Sequence, residues 1–316
     1  MSTSSVEFRT GKLYGGLWSQ YDDELFLKSL ALFKDRWLAN GEALDFFAGK
    51  RCLDVGCGGG RYSLAMGHMG AGSVVGVDVS ESGLADAAMR GERLGYSNVS
   101  FKQASALDLP FPDAEFDFVC CAGVLHHTRG VERGLREIHR VLKPGGSMYM
   151  LLYGAGGVFW PLNYLLRPLA ALVGQNDLET AVENAGYAAN KRRAVLDDLF
   201  VPLLETYSRE RVEHLLQNTG FPTWRYWTSA RMDHETDAYT MIAELETRLR
   251  MWEAGYQHSP DPMKAVLQLH CANLCRTVIE AARDLTEQHK MGRITHDQLQ
   301  DAVVGHGHHR FVAVRS

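Results

Sequence analysis

Two acids and a glycine loop carry the first chemical signal in this chain. Asp54 lies within a short apolar run, Cys52–Val55, and G-C-G-G-G-R follows the run. Gly56, Gly58 and Gly60 permit left-handed backbone and a close approach of main chain to ligand. Asp78 closes a second apolar run, Ser73–Val77, at the place where an acid accepts both hydroxyls of a ribose. The third glycine is Gly60 and position 61 is Arg, so the dinucleotide pattern G-x-G-x-x-G is not met. Asp54 would also repel a pyrophosphate. A carboxylate there suits a nucleoside that carries an ammonium group. A second signal is His126-His127, just past the apolar run Phe116–Cys121. An imidazole titrating near ~6.5 retains a neutral fraction at cellular pH and serves as a general base. Tyr153, at the end of the run Met148–Tyr153, is placed to hydrogen-bond a substrate.

These residues need a scaffold that brings strand ends together. The runs at 52–55, 73–77, 99–101, 116–121 and 148–153 read as buried strands, with helices expected over Arg61–Met69, Ser80–Leu94 and Val131–Leu142. Alternation of strand and helix predicts a doubly wound parallel sheet, whose ligand crevice lies at the carboxyl ends of the strands. Upstream, Met1–Thr10 is expected to be loose. Tyr14, Trp18, Tyr21, Leu25, Phe26, Leu30, Phe33 and Trp37 recur at helical spacing. Downstream, helices are expected at Phe159–Val173, Tyr207–Asn218, Asp237–Glu253 and Asp261–Gln288, with a capping box at Thr295 and Gln298. Strands are expected at Trp224–Ser229 and His309–Arg315.

The phrase D-V-G-C-G-G-G followed by G-V-D, then A-S-A-L-D-L-P-F, V-L-H-H and R-V-L-K-P-G-G, resembles the class I methyltransferase family that uses S-adenosylmethionine, in particular its ubiquinone-biosynthesis and small-molecule branches. The resemblance spans roughly residues 50–153. It implies an α/β fold with a Rossmann-like seven-stranded sheet and helical insertions forming a lid. It implies that the cofactor is held by Tyr14, Tyr21, Asp54, Gly56, Cys57, Gly58, Gly60, Asp78, Val79, Ser105, Ala106, Leu107, Ala122 and Gly123. Ser105 stands where the family commonly has an acid for the adenine amino group, and a hydroxyl is a weaker acceptor. Of the two histidines, one points at the cofactor in related enzymes and the other packs, and His127 is favoured for the pocket. His127, His126 and Tyr153 are the expected catalytic residues. Asp198, Arg192 and Tyr207 are candidate substrate contacts, with Asp197, Arg193 and Arg231 weighed beside them.

The domain plan that follows is a helical cap over 1–48, a cofactor-binding core over 49–154, a helical lid insertion over 155–206, a return to the core over 207–231, a second helical insertion over 232–304 and a last strand over 305–316. The second insertion serves equally as lid or as a homodimer surface. At 316 residues and 46% hydrophobic, the chain is long enough for such a core with an added subdomain. A net charge of −5 with no Lys/Arg run argues against nucleic acid as partner and for a small molecule. No stretch reaches the roughly 18 apolar residues of a membrane span. Met1–Gln20 lacks a signal-peptide layout, and six scattered cysteines suit the reducing cytoplasm. No metal is expected: His306, His308 and His309, or Cys271 and Cys275, do not make a zinc set. The expected activity is methyl transfer to a small molecule through oxygen, nitrogen or carbon. RNA or protein methylation, and cofactor binding without transfer, are the competing classes.

Overall fold

The computed structural model describes residues 6–18, 23–187, 189–228 and 237–316. Regular structure begins with helices α1 (Val6–Trp18) and α2 (Asp23–Ala39). Helix already covers Val6–Thr10, which the Ser/Thr-rich composition had suggested would be loose. Then come β1 (Arg51–Val55), α3 (Arg61–His68), β2 (Ser73–Asp78), α4 (Glu81–Arg93), β3 (Val99–Gln103) and β4 (Phe116–Ala122). A 3-10 turn at Leu125–His127 leads into α5 (Val131–Val141) and β5 (Leu142–Tyr153). The remaining elements are α6 (Phe159–Val173), α7 (Gln175–Asn184), α8 (Ala189–Phe200), α9 (Arg209–Asn218), β6 (Thr223–Tyr226), α10 (Ala238–His258), α11 (Pro262–Lys290), α12 (His296–Val303) and β7 (His308–Val314).

The seven strands form one sheet in the order β3-β2-β1-β4-β5-β7-β6. β1 pairs in parallel with both β2 and β4, while β7 runs antiparallel between β5 and β6. The chain therefore leaves β1 in one direction and returns to its other side with β4. At such a reversal the adjoining crossovers leave an open crevice beyond the strand ends. β5 starts earlier than the apolar run suggests, because Leu142 already pairs with Phe116, and the register shifts across Lys143–Gly146, where Gly145 has φ 75°, before Ser147 pairs with Phe118.

Strand alternation sorts the core into two layers. Leu53 and Val55 face the layer that holds Val119, Met148, Ile138 of α5 and Leu216 of α9. Cys52 faces the other layer, with Phe118, Tyr149, Leu64 of α3, and Phe33 and Trp37 of α2. Trp37 is 0% exposed. Its ring packs on Phe47 at 4.7 Å and edge-on to Phe118 and Trp227 at 5.6 and 5.5 Å.

Two compact units result. The sheet unit comprises residues 1–153, 202–230 and 308–316, and the helical unit comprises 154–201 and 231–307. Both expected insertions thus belong to a single body, in which α10 packs on α11 and α7, and α6 packs on α11 and α8. Residues 202–206 go with the sheet rather than with the insertion. Caps match the sequence signals: Ser80 accepts from Gly83 N at 3.2 Å, and Thr295 with Gln298 completes a capping box. Among the described residues no helix is long and apolar enough to cross a membrane. Trp37→Ala is expected to cost about 3–5 kcal/mol in urea unfolding. A loss below about 1 kcal/mol would show that α2 lies outside the sheet's core.

Candidate active site

The loop after β1 is tied to the end of β2. Gly56 N and Cys57 N both donate to the Val77 carbonyl, at 2.7 and 2.9 Å. Gly56 has φ 71°, and a Cβ there would stand 2.3 Å from Val124, so only glycine lets this loop meet the segment after β4. Asp78 then accepts from Gly58 N through Oδ2 and from Ser80 N through Oδ1, each at 2.8 Å. Burial pushes its carboxyl above the ordinary value while the amides of Ser80 and Gly58 oppose that shift. A carboxylate offers about four acceptor positions, so the amides of Gly58 and Ser80 do not exhaust it.

Around this knot lie the other expected donor contacts. Gly11 of α1 sits against Val79, where a Cβ would come within 2.7 Å of its Cγ2, which brings α1 onto the β2 tip. Ser105 Oγ accepts from Leu107 N at 3.1 Å, so this hydroxyl builds its own turn, leaving Ala106 and Leu107 half-buried. At the end of β4 come Ala122 and Gly123, and a Cβ on Gly123 would meet nothing within 4 Å. Asp78, at the tip of β2, is half-buried.

Asp54 is placed differently from the sequence expectation. It is 1% exposed and its Oδ2 accepts from Ser63 Oγ at 2.6 Å. Burial pushes its carboxyl up to about 6, with hydrogen bonds from Ser63 and Cys120 pulling the other way. Asp54 therefore braces the loop from beneath and does not reach a ligand ammonium directly. Its neighbour Cys57 is buried, and its thiol is pushed well above the ordinary value by burial.

The adjacent histidines diverge. His127 Nδ1 lies 2.9 Å from the Leu203 carbonyl, and Nε2 lies 2.8 Å from the Tyr14 hydroxyl. A carbonyl only accepts, so Nδ1 carries the hydrogen, and Nε2 of the neutral ring accepts from the phenol. His126 is 0% exposed and stacks on Tyr153 at 3.8 Å. Neither of its ring nitrogens finds a hydrogen-bond partner among the described residues. Burial, then His127, drives its pKa well below the ordinary value. His126 is thus a packing group and a poor base. Tyr153 is held between two imidazoles, with His308 stacked on it at 4.5 Å and 12°.

The expected substrate contacts are committed elsewhere. Tyr207 is fully buried and its hydroxyl donates to Glu205 Oε2 at 2.7 Å. Asp198, inside the helical unit, is ion-paired with the buried Arg248, which also reaches Asn163 Oδ1 at 3.1 Å. Arg192 pairs with Glu183. Each side chain closes a structural interaction, which explains its charge or hydroxyl without a substrate. Tyr21 and Arg231 lie outside the described residues. Cys271 and Cys275 are buried in α11 with thiols pushed up to about 12, and His309 Nε2 donates to the Tyr207 carbonyl at 2.7 Å. Sequence reasoning missed Leu203 and Glu205. Leu203 acts through its backbone, which no side-chain pattern reveals.

Residues 53–150 match the family described as a methyltransferase domain. A ubiquinone biosynthesis O-methyltransferase of Pseudomonas syringae pv. tomato is 42% identical over 131 residues, 38% of this chain and 55% of that protein. A 27-O-demethylrifamycin SV methyltransferase of Amycolatopsis mediterranei is 37% identical over 102 residues, covering 32% and 38%. The chain thus spans about half, or less, of the length of these curated relatives. In fold it is similar to the crystal structure of the YcgJ protein of Bacillus subtilis, with a TM-score of 0.50 at 18% identity over 91% of this chain and 98% of that one. Residues 53–150 are thus similar to a methyltransferase domain, set in an α/β fold like that of the YcgJ protein. S-adenosylmethionine is the cofactor that this domain match supports.

The buried Asp54 has a measurable consequence. Its folded-state carboxyl binds a proton more tightly than the unfolded chain does, so its contribution to stability is present below about pH 4 and is lost as pH rises through about 6. Asp54→Asn cannot titrate. Relative to wild type, its stability is expected to improve by up to about 3 kcal/mol between pH 4 and 7. Urea unfolding at the two pH values measures this, and a pH-independent difference would contradict the assignment.

Proposed function

We propose that the chain is a methyltransferase that moves the methyl group of S-adenosylmethionine to a hydroxyl of a small molecule, with His127 receiving the proton that the hydroxyl gives up. One observation carries the reading: His127 has its Nδ1–H held by a backbone carbonyl, so its one basic nitrogen, Nε2, faces the Tyr14 hydroxyl beside the β4 tip. The cofactor supplies a methyl group already activated by a sulfonium.

The chain's own residues do the rest. Asp78 and the loop after β1 orient the nucleoside end, and such alignment is worth about 7–11 kcal/mol of barrier. Tyr14 lies between His127 and the acceptor, so its oxygen can take the acceptor proton as its own hydrogen passes to Nε2. α1 delivers Tyr14 because Gly11, one turn earlier on the same face, rests on Val79. Tyr153, fixed between its two imidazoles, closes the neighbouring strand end.

A base is useful where a proton must leave, and among such acceptors oxygen is favoured by the names of the relatives. Two relatives name O-methylation in their own activities. The net charge of −5 and the lack of a basic stripe favour a small molecule over RNA.

The test is transfer of labelled methyl from S-adenosylmethionine to a panel of hydroxylated small molecules. His127→Ala is expected to lower kcat by about 10²–10⁴-fold, with binding of S-adenosylhomocysteine unchanged. Full turnover in both His127→Ala and Tyr14→Phe would overturn the proton route. Binding of the cofactor with no transfer to any acceptor would favour a sensor protein instead.

A further inference from the structure

Residues 202–207 have no helical or strand hydrogen-bond ladder, yet they are stitched to the sheet at every other step. The Leu203 carbonyl accepts from His127 Nδ1 at 2.9 Å. Glu205 N donates to the His126 carbonyl at 3.0 Å, and Tyr207 N donates to the Tyr153 carbonyl at 2.9 Å. His309 Nε2 then donates to the Tyr207 carbonyl at 2.7 Å. The segment is thus laid across the exits of β4 and β5 and the entry of β7.

What holds its middle in place is a side-chain clamp. Glu205 Oε2 accepts from the Tyr207 hydroxyl at 2.7 Å and from Arg211 Nη2, on α9, at 3.2 Å. The Arg211 guanidinium also lies over the Tyr207 ring, 4.3 Å from its centroid. Tyr207 is fully buried, so its hydroxyl needs this partner, and leaving it unsatisfied is costly.

We propose that Glu205 is a positioning residue for His127: by clamping this segment through Tyr207 and Arg211, it keeps the Leu203 carbonyl on Nδ1 and so makes Nε2 the basic nitrogen. The tautomer of a neutral imidazole is set by the hydrogen bond its other nitrogen makes. An imidazole free in water carries its hydrogen mainly on Nε2, the wrong side for a base facing Tyr14. Loss of the carbonyl therefore turns His127 from an acceptor toward the phenol into a donor. The effect on turnover rests on the proposed function, whereas the tautomer itself does not.

The experiment is ¹⁵N NMR of the full chain labelled at histidine, with the His127 signals assigned by comparison with His127→Gln, alongside methyl-transfer kinetics. Wild type is expected to show Nδ1 protonated and Nε2 bare. Glu205→Ala is expected to shift His127 toward the Nε2–H tautomer and to lower kcat about tenfold or more, with KM for S-adenosylmethionine unchanged. Glu205→Gln, whose amide oxygen still accepts from Tyr207, is expected to restore the wild-type tautomer. Where Glu205→Ala does not fold, Tyr207→Phe deletes one hydroxyl from the same clamp and is read in the same way. A wild-type tautomer and kcat in the clamp variants would overturn the proposal. A wild type with the Nδ1–H tautomer but no methyl transfer would instead remove the proposed function and leave the clamp standing.

Discussion

The carboxylate of Asp78 is the constraint on which this site depends. Its two oxygens hold Gly58 N and Ser80 N, so the loop after β1 and the start of α4 are fixed by one side chain. Charge-assisted bonds of this kind are shorter and stronger than neutral ones. They also leave the acid short of donors, which suits it to a diol. Beneath them, the close approach of Gly56 to Val124 ties the same loop to the exit of β4. The donor cradle and the histidine pair are therefore two ends of one rigid assembly.

The second end is built from segments far apart in the chain. Tyr14 arrives on α1, His127 on the turn after β4, and Leu203 on a stretch that follows α8. None of these contacts is local, and each depends on the strand order that puts β1 beside β4 and β5 beside β7. The hydrogen-bond chain has a fixed direction because it begins at a carbonyl. That is what distinguishes His127 from its neighbour His126, which has the same composition and almost the same address but lies stacked in the core.

Much of the fold was legible in the sequence because short apolar runs alternate with amphipathic ones and glycines mark the turns. The last strands were legible too: β6 and β7 pair although a helical insertion separates them, since H-R-F-V-A-V-R alternates in the manner of a strand. The site was legible as residue types, not as directions. Asp54 looked like a ligand contact, but Asp54 and Cys52 turn to the layer under α3, where Ser63 waits. Asp198 looked free to meet a substrate because its partner, Arg248, is joined to it only by the fold, and Tyr207 because no motif marks its pairing with Glu205 two residues earlier. Leu203 left no trace at all, since any residue has a carbonyl.

Calorimetric titration of S-adenosylhomocysteine into wild type and Asp78→Ala tests the central claim most directly. Wild type is expected to bind, and loss of the carboxylate is expected to weaken binding about tenfold or more, because its hydrogen bonds hold the loop and it is the proposed acceptor for the ribose diol. Equal affinity in the two proteins, or tight uptake of a nicotinamide dinucleotide by a wild type that ignores S-adenosylhomocysteine, would contradict the account.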